Sequence, residues 1–299
     1  MKKLLFIYNP HAGRGQAGEK LSGLLNAFTR EGWLTTAYPT QSSGDALRIT
    51  KEQATGFDRV ACCGGDGTLH EVVNGLMTLP ENARPSLGYI PTGTTNDYAR
   101  NLSLPPEMED MATLAVSGKP RAVDIGRMGE EHFIYVAAFG AFTNVAYDTP
   151  QQFKNIFGHL AYILKGAAEL AGLKSYRLRL EYDGGVREGD YLFGMISNTV
   201  SVGGILGRPA EEVVLDDGLL EAVLVEMPKT MIDLNNAILA LARHEYSEDS
   251  GVIGLHSSHF HITCEEAAPF TLDGEFGGEH QEVTIDAVRI PVRIVFGEE

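Results

Sequence analysis

Apolar and polar positions along this chain follow two different rhythms. From Lys3 to about Val116, short apolar runs with strand periodicity take turns with stretches at helical spacing. Lys3 to Tyr8 reads as a strand, Leu21, Leu24, Leu25 and Phe28 as one helix face, and Trp33 to Tyr38 as the next strand. Ala46 to Ala54 is then helical, Arg59 to Cys63 strand-like, Leu69 to Met77 helical and Leu87 to Ile90 strand-like. That order predicts a parallel sheet covered by helices. Beyond about Arg121 alternating patterns closed by turn residues take over, as in Tyr176-Arg177-Leu178-Arg179-Leu180-Glu181-Tyr182 before Asp183-Gly184-Gly185. Further strands are predicted near Phe133 to Ala138, Tyr191 to Ser197, Glu221 to Val225, Phe260 to Cys264 and Phe270 to Leu272. Two helices interrupt them: one carries the stripe Phe153, Ile156, Phe157, Leu160, Leu164, Ala167 and Leu170, and the other starts at the cap Thr230 and runs to about Arg243. The expected fold is therefore α/β + β, a doubly wound α/β domain over 1–122, with 290–299 a candidate addition, and a β-rich, sandwich-like domain over 123–289.

Composition narrows the function classes. The 299 residues, 43% hydrophobic and 21% charged, suffice for one large or two ordinary domains with real cores. A formal charge of −16 argues against nucleic acid as a partner, since phosphate backbones need a basic footprint. It says less about membranes, because the charge is segregated. Residues 151–180 hold Lys154, Lys165, Lys174, Arg177 and Arg179 against Glu169, a net +4, so this segment is expected to approach a bilayer peripherally. Cys62, Cys63 and Cys264 form no C-x-x-C pair and no even framework, which points to reducing cytosol. The apolar start ends after five residues at Asn9-Pro10, short of a secretory signal, and Tyr191 to Leu206 is too broken by polar residues and glycines to span a bilayer.

The glycine loops carry the candidate chemistry. Gly13-Arg14-Gly15-Gln16-Ala17-Gly18 matches G-x-G-x-x-G between a strand and a helix, but Trp33 to Gly44 contains no acid to hold a ribose. Nor is it a Walker loop, because Glu19 stands where the lysine belongs. It reads either as a plain turn or as a phosphate cradle charged by Arg14. Cys63-Gly64-Gly65-Asp66-Gly67-Thr68-Leu69-His70-Glu71 is the stronger signal: glycines let a backbone approach a ligand, a helix N-terminus offers amides to an anion, and an acid beside that anion implies a metal. Pro91-Thr92-Gly93-Thr94-Thr95-Asn96-Asp97 follows the fourth strand, so both loops should open on the carboxyl edge of the sheet. His256, His259 and His261 lie close in sequence but lack an acid or cysteine at ligand spacing, so surface histidines are expected.

Taken in order, Asn9-Pro10-x-x-Gly13, Gly64-Gly65-Asp66-Gly67-Thr68, Gly93-Thr94-x-Asn96-Asp97 and Leu272-Asp273-Gly274-Glu275 resemble the bacterial diacylglycerol kinases and related lipid kinases, of the superfamily shared with sphingosine kinases and NAD kinases. The resemblance implies an ATP-dependent, Mg²⁺-requiring kinase of phospholipid biosynthesis that phosphorylates a hydroxyl of a neutral lipid, diacylglycerol first. The nucleotide is expected in a cleft between the two domains. By that resemblance ATP is held by Asn9, Pro10, His11, Ala12, Gly13 and Arg14, by Thr40, by Gly65, Asp66, Gly67, Thr68, Leu69, His70 and Glu71, and by Thr94. Glu275 matches the catalytic base, Asp66, Asp97 and Asp124 the acids linking metal and active site, and Lys165 a functional lysine. Val214 and Leu219 through their carbonyls, with Asp217, match a structural Mg²⁺ site. His70 departs from the Asn common in relatives. The implied location is cytoplasmic, peripherally on the inner face of the cell membrane, and a homo-oligomer is compatible with the sequence. The rival readings are a kinase for another alcohol, such as a sphingoid base, a polyprenol or a soluble metabolite, and an NAD(P)-binding oxidoreductase or binding protein using Gly13 to Gly18. A catalytically silent nucleotide sensor is disfavoured by intact Asp66, Asp97 and Glu275.

Overall fold

The structure, a computed structural model, describes residues 1–93, 96–140, 173–199 and 214–297. The helix expected around Phe153 to Leu170, with Lys165, and also Thr94 lie outside the described residues. Two compact units emerge, Met1–Asp124 with Arg289–Glu299, and Ile125–Val288.

The first unit opens with β1 (Lys2–Tyr8), a 3-10 turn at Ala12–Gly15, α1 (Gln16–Glu19), α2 (Leu21–Arg30) and β2 (Trp33–Pro39). It continues through α3 (Asp45–Gln53), β3 (Arg59–Gly64), α4 (Asp66–Met77), β4 (Ser86–Pro91), α5 (Met108–Ser117) and β5 (Pro120–Met128), the last residues of which belong to the second unit. The strand order β4-β3-β1-β2 is parallel throughout. All six residues of β3 are buried, as expected of a strand covered on both faces. Phe6, Phe28, Leu24 and Trp33 share a core with Ala112 and Val116 of α5. Full burial of Phe28 alone contributes about 1.5–3 kcal/mol. Helix α5 sits directly on β4, where a side-chain carbon at Gly88 would meet the Ala115 carbonyl at 2.5 Å. The apolar pattern does not single this helix out; Glu109 and Asp110 in its first turn favour its N-terminus.

The second unit holds β6 (Glu131–Phe133), β7 (Val136–Gly140), β8 (Tyr176–Tyr182), β9 (Gly185–Ser197), β10 (Leu220–Glu226), α6 (Met231–Arg243), β11 (Val252–Ser257), β12 (His259–Leu272) and β13 (Glu275–Val295). The end of β13 returns to the first unit, where Ile294 pairs with Leu87 of β4 in parallel. The order β11-β10-β9-β7-β12-β13 is antiparallel, and β8 pairs with both β9 and β12. Alternation in β8 places Tyr176, Leu178 and Leu180 in a core with Tyr191, Phe260, Ile262 and Phe270. The runs Phe260 to Cys264 and Phe270 to Leu272 are one strand whose register against β13 shifts between Thr263 and Ala268. The expected strand Phe133 to Ala138 is instead split at Ile134-Tyr135, for a reason found at its neighbouring turn. Thr230 opens α6 with a complete capping box with Asp233. Among the described residues no helix is long and apolar enough to cross a membrane.

Candidate functional site

Parallel pairing decides where the chemistry-bearing loops of the first unit emerge. Tyr8 pairs with Cys63 and Gly64 with Pro91, so the segments that begin at Asn9, Gly64 and Thr92 all leave the carboxyl edge of adjacent strands. Thr40 joins them from the end of β2, its N–H donating to the Tyr8 carbonyl at 2.9 Å. Asn9 donates to the Cys63 carbonyl at 2.8 Å, while its Oδ1 accepts the His11 N–H at 2.9 Å and turns the chain toward Ala12 and Gly13. Gly13 has φ +59 and lies against the Thr92 carbonyl, leaving no room for a side chain. Arg14 belongs to the same 3-10 turn.

Two glycines meet at the centre. A side-chain carbon on Gly93 would stand 2.6 Å from the Gly65 Cα and 2.6 Å from Asn96 Oδ1. Gly65 is the extended residue ahead of α4 and has no side chain to cap it, so the helix begins at Asp66, earlier than its apolar pattern indicates. Its first turn presents the N–H groups of Asp66, Gly67 and Thr68 before the ladder starts with Leu69 N to Gly65 O at 3.1 Å. The Tyr89 hydroxyl, donating to the Gly64 carbonyl at 3.3 Å, braces this loop from beneath, a contact that nothing in the sequence pattern signals.

Two of the predicted acids meet at that helix end. Asp66 Oδ2 accepts the Asp97 N–H at 3.1 Å. Asp97 is 6% exposed, and its Oδ1 accepts no hydrogen bond among the described residues, with Arg100 Nε 3.9 Å away. Burial raises its carboxyl above the usual range, opposed by Arg100. A buried carboxylate oxygen that accepts no hydrogen bond is suited to a cation, and as a hard donor it suits Mg²⁺. Asp124 is buried on β5. Leu69 is fully buried, His70 faces Asn74 within α4 at 3.3 Å, and Glu71 caps α3, accepting from Gly44 N at 2.7 Å and Ala46 N at 3.0 Å. The side chains of 69–71 therefore hold the helix in place, while Asp66 to Thr68 face the loops. Cys62 and Cys63 are core residues, and burial pushes the Cys63 thiol up to about 12.

In the second unit, Glu275 is exposed at the start of β13. The preceding Asp273-Gly274 pair has φ +51 and +87 and joins Leu272 to its register partner Glu275, a two-residue hairpin loop. Asp217 Oδ1 accepts the Leu219 N–H at 2.9 Å, and Val214, Asp217 and Leu219 all lie exposed on this turn. A carboxylate with two carbonyls is a hard-cation donor set that water would complete. His259 contacts Asp286 at 2.7 Å and His261 contacts Glu282 at 3.3 Å; among the described residues no group of three or more acids, histidines or cysteines is assembled for a metal. Arg177 is paired with Glu188, Asp190 and Glu265 of neighbouring strands, and Arg179 with Glu181 of its own strand, so part of the charge expected to face a bilayer is already paired.

Comparison with known proteins agrees over nearly the whole chain. Residues 3–128 match the diacylglycerol kinase catalytic domain, and residues 137–292 match the YegS C-terminal NAD kinase beta sandwich-like domain. A diacylglycerol kinase of Bacillus subtilis strain 168 is 36% identical over 280 residues, covering 93% of this chain and 91% of its own length. One of Staphylococcus aureus strain bovine RF122 / ET3-1 is 35% identical over 279 residues, covering 93% and 87%. Among solved structures, a diacylglycerol kinase from Bacillus anthracis strain Sterne aligns with TM-score 0.75 at 24% identity over 99% of this chain and 97% of that one. A second solved chain from that organism reaches TM-score 0.82 at 24% identity, covering 99% and 95%. At that identity the two structures speak for the fold.

Proposed function

The chain belongs to the diacylglycerol kinase family, kinases with an alcohol acceptor, and from that premise we propose that it transfers the γ-phosphate of ATP to the hydroxyl of a neutral lipid, diacylglycerol giving phosphatidic acid. The observation that carries the phosphate end is the meeting of Gly65 and Gly93 beside an uncapped helix N-terminus and the buried Asp97 carboxylate. On this reading Asn9 to Arg14, Thr40, Thr94 and the amides of Gly65 to Thr68 bind ATP, with the rest of the run to Glu71 supporting them. Mg²⁺, when bound, neutralises charge on the transferring group. Asp66 and Asp97, with Asp124, hold that region of negative potential in place. Val214, Asp217 and Leu219 hold a second, structural Mg²⁺.

A lipid hydroxyl is a weak nucleophile at neutral pH, so a carboxylate must accept its proton as the bond to phosphorus forms. Glu275 takes that part: it is an exposed acid on a fixed turn, free to meet a substrate. Lys165 supplies a further cation. The basic segment 151–180 brings the enzyme to the bilayer surface, with Lys154, Lys165 and Lys174 as its effective charges, since Arg177 and Arg179 are engaged elsewhere.

The test is transfer from γ-labelled ATP to a panel of lipids in anionic vesicles. Labelled phosphatidic acid from diacylglycerol is expected, and Lys154→Glu with Lys174→Glu should reduce both vesicle binding and rate. Label on a sphingoid base, polyprenol or soluble alcohol alone would reassign the acceptor, and no labelled product from any alcohol would end the proposal. Vesicle binding unchanged by the two charge reversals would remove the membrane role of this segment.

A further inference from the structure

Hairpin tips are ordinarily solvated, and an Asp-Gly loop with both residues at positive φ needs no outside support to form. The Asp273-Gly274 tip is different. Asp273 is 3% exposed. Its Oδ2 accepts the Ile134 N–H at 2.8 Å, and its Oδ1 accepts those of Tyr135 at 2.9 Å and Val136 at 3.2 Å. Its own N–H donates to the Val136 carbonyl at 2.8 Å. Three consecutive amides converging on one carboxylate explain why the chain breaks between β6 and β7, and they tie the tip to that break.

The other flank of Glu275 is also held. The register between β12 and β13 shifts after Phe270: Thr271 pairs with Phe276, Phe270 with Gly278, and Gly277 is the extra residue of a bulge. His280 closes this bulge, its Nε2 donating to the Gly277 carbonyl at 2.8 Å while its ring stands edge-on to Phe270 at 5.9 Å. Gly278, at φ +98, leaves space for that ring: a side-chain carbon there would lie 2.6 Å from His280 Nε2.

We propose that Asp273 is a positioning residue for phosphoryl transfer: by locking the hairpin tip onto the amides of 134–136 it fixes where Glu275 leaves the sheet, with His280 as the brace on the far side. The proposal rests on the reading of Glu275 as the base. A carboxylate on a loose tip would sample many orientations, and misplacement by about 1 Å can cost on the order of a hundredfold in rate. Neither Asp273 nor His280 needs to touch the substrate.

The experiment is a double-mutant cycle on the full-length enzyme, read as kcat and ATP KM alongside thermal unfolding. Glu275→Gln should lower kcat by about 10²- to 10⁴-fold. Asp273→Asn, which turns one acceptor into a donor facing an N–H, should lower kcat by about ten- to a hundredfold with ATP KM nearly unchanged, and should cost nothing further in the Glu275→Gln background. An equal penalty in both backgrounds overturns the proposal, because a merely structural Asp273 would matter with or without the base. Wild-type kcat in Asp273→Asn beside an impaired Glu275→Gln overturns it as well. Wild-type kcat in Glu275→Gln instead removes the base assignment and the proposal together, so the two failures are told apart. If Asp273→Asn does not fold, His280 carries the same cycle: His280→Gln keeps a donor for the Gly277 carbonyl and should retain kcat, His280→Leu should lose severalfold only when Glu275 is present, and equal rates for both overturn the proposal.

Discussion

Two helix N-termini, one in each unit, are built on opposite plans. Helix α6 opens with Thr230 accepting the Asp233 N–H at 3.2 Å while Asp233 accepts the Thr230 N–H at 2.8 Å, so its first turn is satisfied from within. Helix α4 opens behind a glycine, and Asp97, whose N–H donates to Asp66 at the start of that helix, keeps a buried oxygen without a hydrogen bond among the described residues. The same contrast separates the buried acids: Asp273 takes three amides, whereas Asp97 is left with Arg100 at 3.9 Å. Folds leave few buried polar groups without a hydrogen bond, and each exception calls for a physical reason. At Asp97, on the carboxyl edge of the sheet, the proposed function supplies that reason: a charged ligand would occupy the place, at a stability cost to the unliganded protein.

The comparison breaks most sharply at Gly93. Gly93→Ala puts a carbon 2.6 Å from the Gly65 backbone, forcing the two loops apart. Overpacking of this kind costs about 1–3 kcal/mol, and displacing the cradle should weaken ATP binding by on the order of a hundredfold. Calorimetric titration with ATP checks this, and unchanged affinity would mean the nucleotide does not use this approach. Asp97→Asn comes next. Because burial raises the folded-state carboxyl above its ordinary 3.8, the proton-bound form is favoured in the fold; the stability this contributes is complete below 3.8 and lost as pH rises through the folded value. The Asn variant should therefore unfold at a higher temperature than the parent at pH 7, with the advantage vanishing near pH 3.8. Its kinase activity should fall by about 10- to 100-fold, as for other groups that support a metal site. A variant less stable at pH 7 would show that Asp97 is paired after all.

Much of the first unit was legible because the inner parallel strands advertise themselves: Leu4 to Ile7, Val60 to Cys63 and Leu87 to Ile90 are short buried runs, and the strand ends place Asn9, Gly64 and Thr92 on one edge. The loop glycines were legible as close approaches, though not which backbones approach, since Gly13 against Thr92 and Gly65 against Gly93 are contacts between distant segments. Glu71 shows the limit of a motif. Its place in the Gly65 to Glu71 run suggested the nucleotide, yet its carboxylate closes the N-terminus of α3, a pairing 25 residues back in the chain that no local spacing reveals. Asp273 was visible only as part of a turn. Its burial depends on β6 and β7 lying beside the tip, which is tertiary structure, and the break it imposes at Ile134-Tyr135 is why one predicted strand became two.

The smallest effect sharpens the contrast from the other side. Thr230→Ala removes the acceptor for the Asp233 N–H and should cost about 1 kcal/mol of stability, within the usual 0.5–2 kcal/mol for such caps. It should leave ATP affinity untouched, because the capping box of α6 closes on itself and none of the residues proposed to bind ATP belongs to this helix. Thermal melts paired with nucleotide titration read both quantities on one preparation. A loss of ATP affinity comparable to that of Gly93→Ala would erase the distinction between a helix end that serves the fold and one kept open for a ligand.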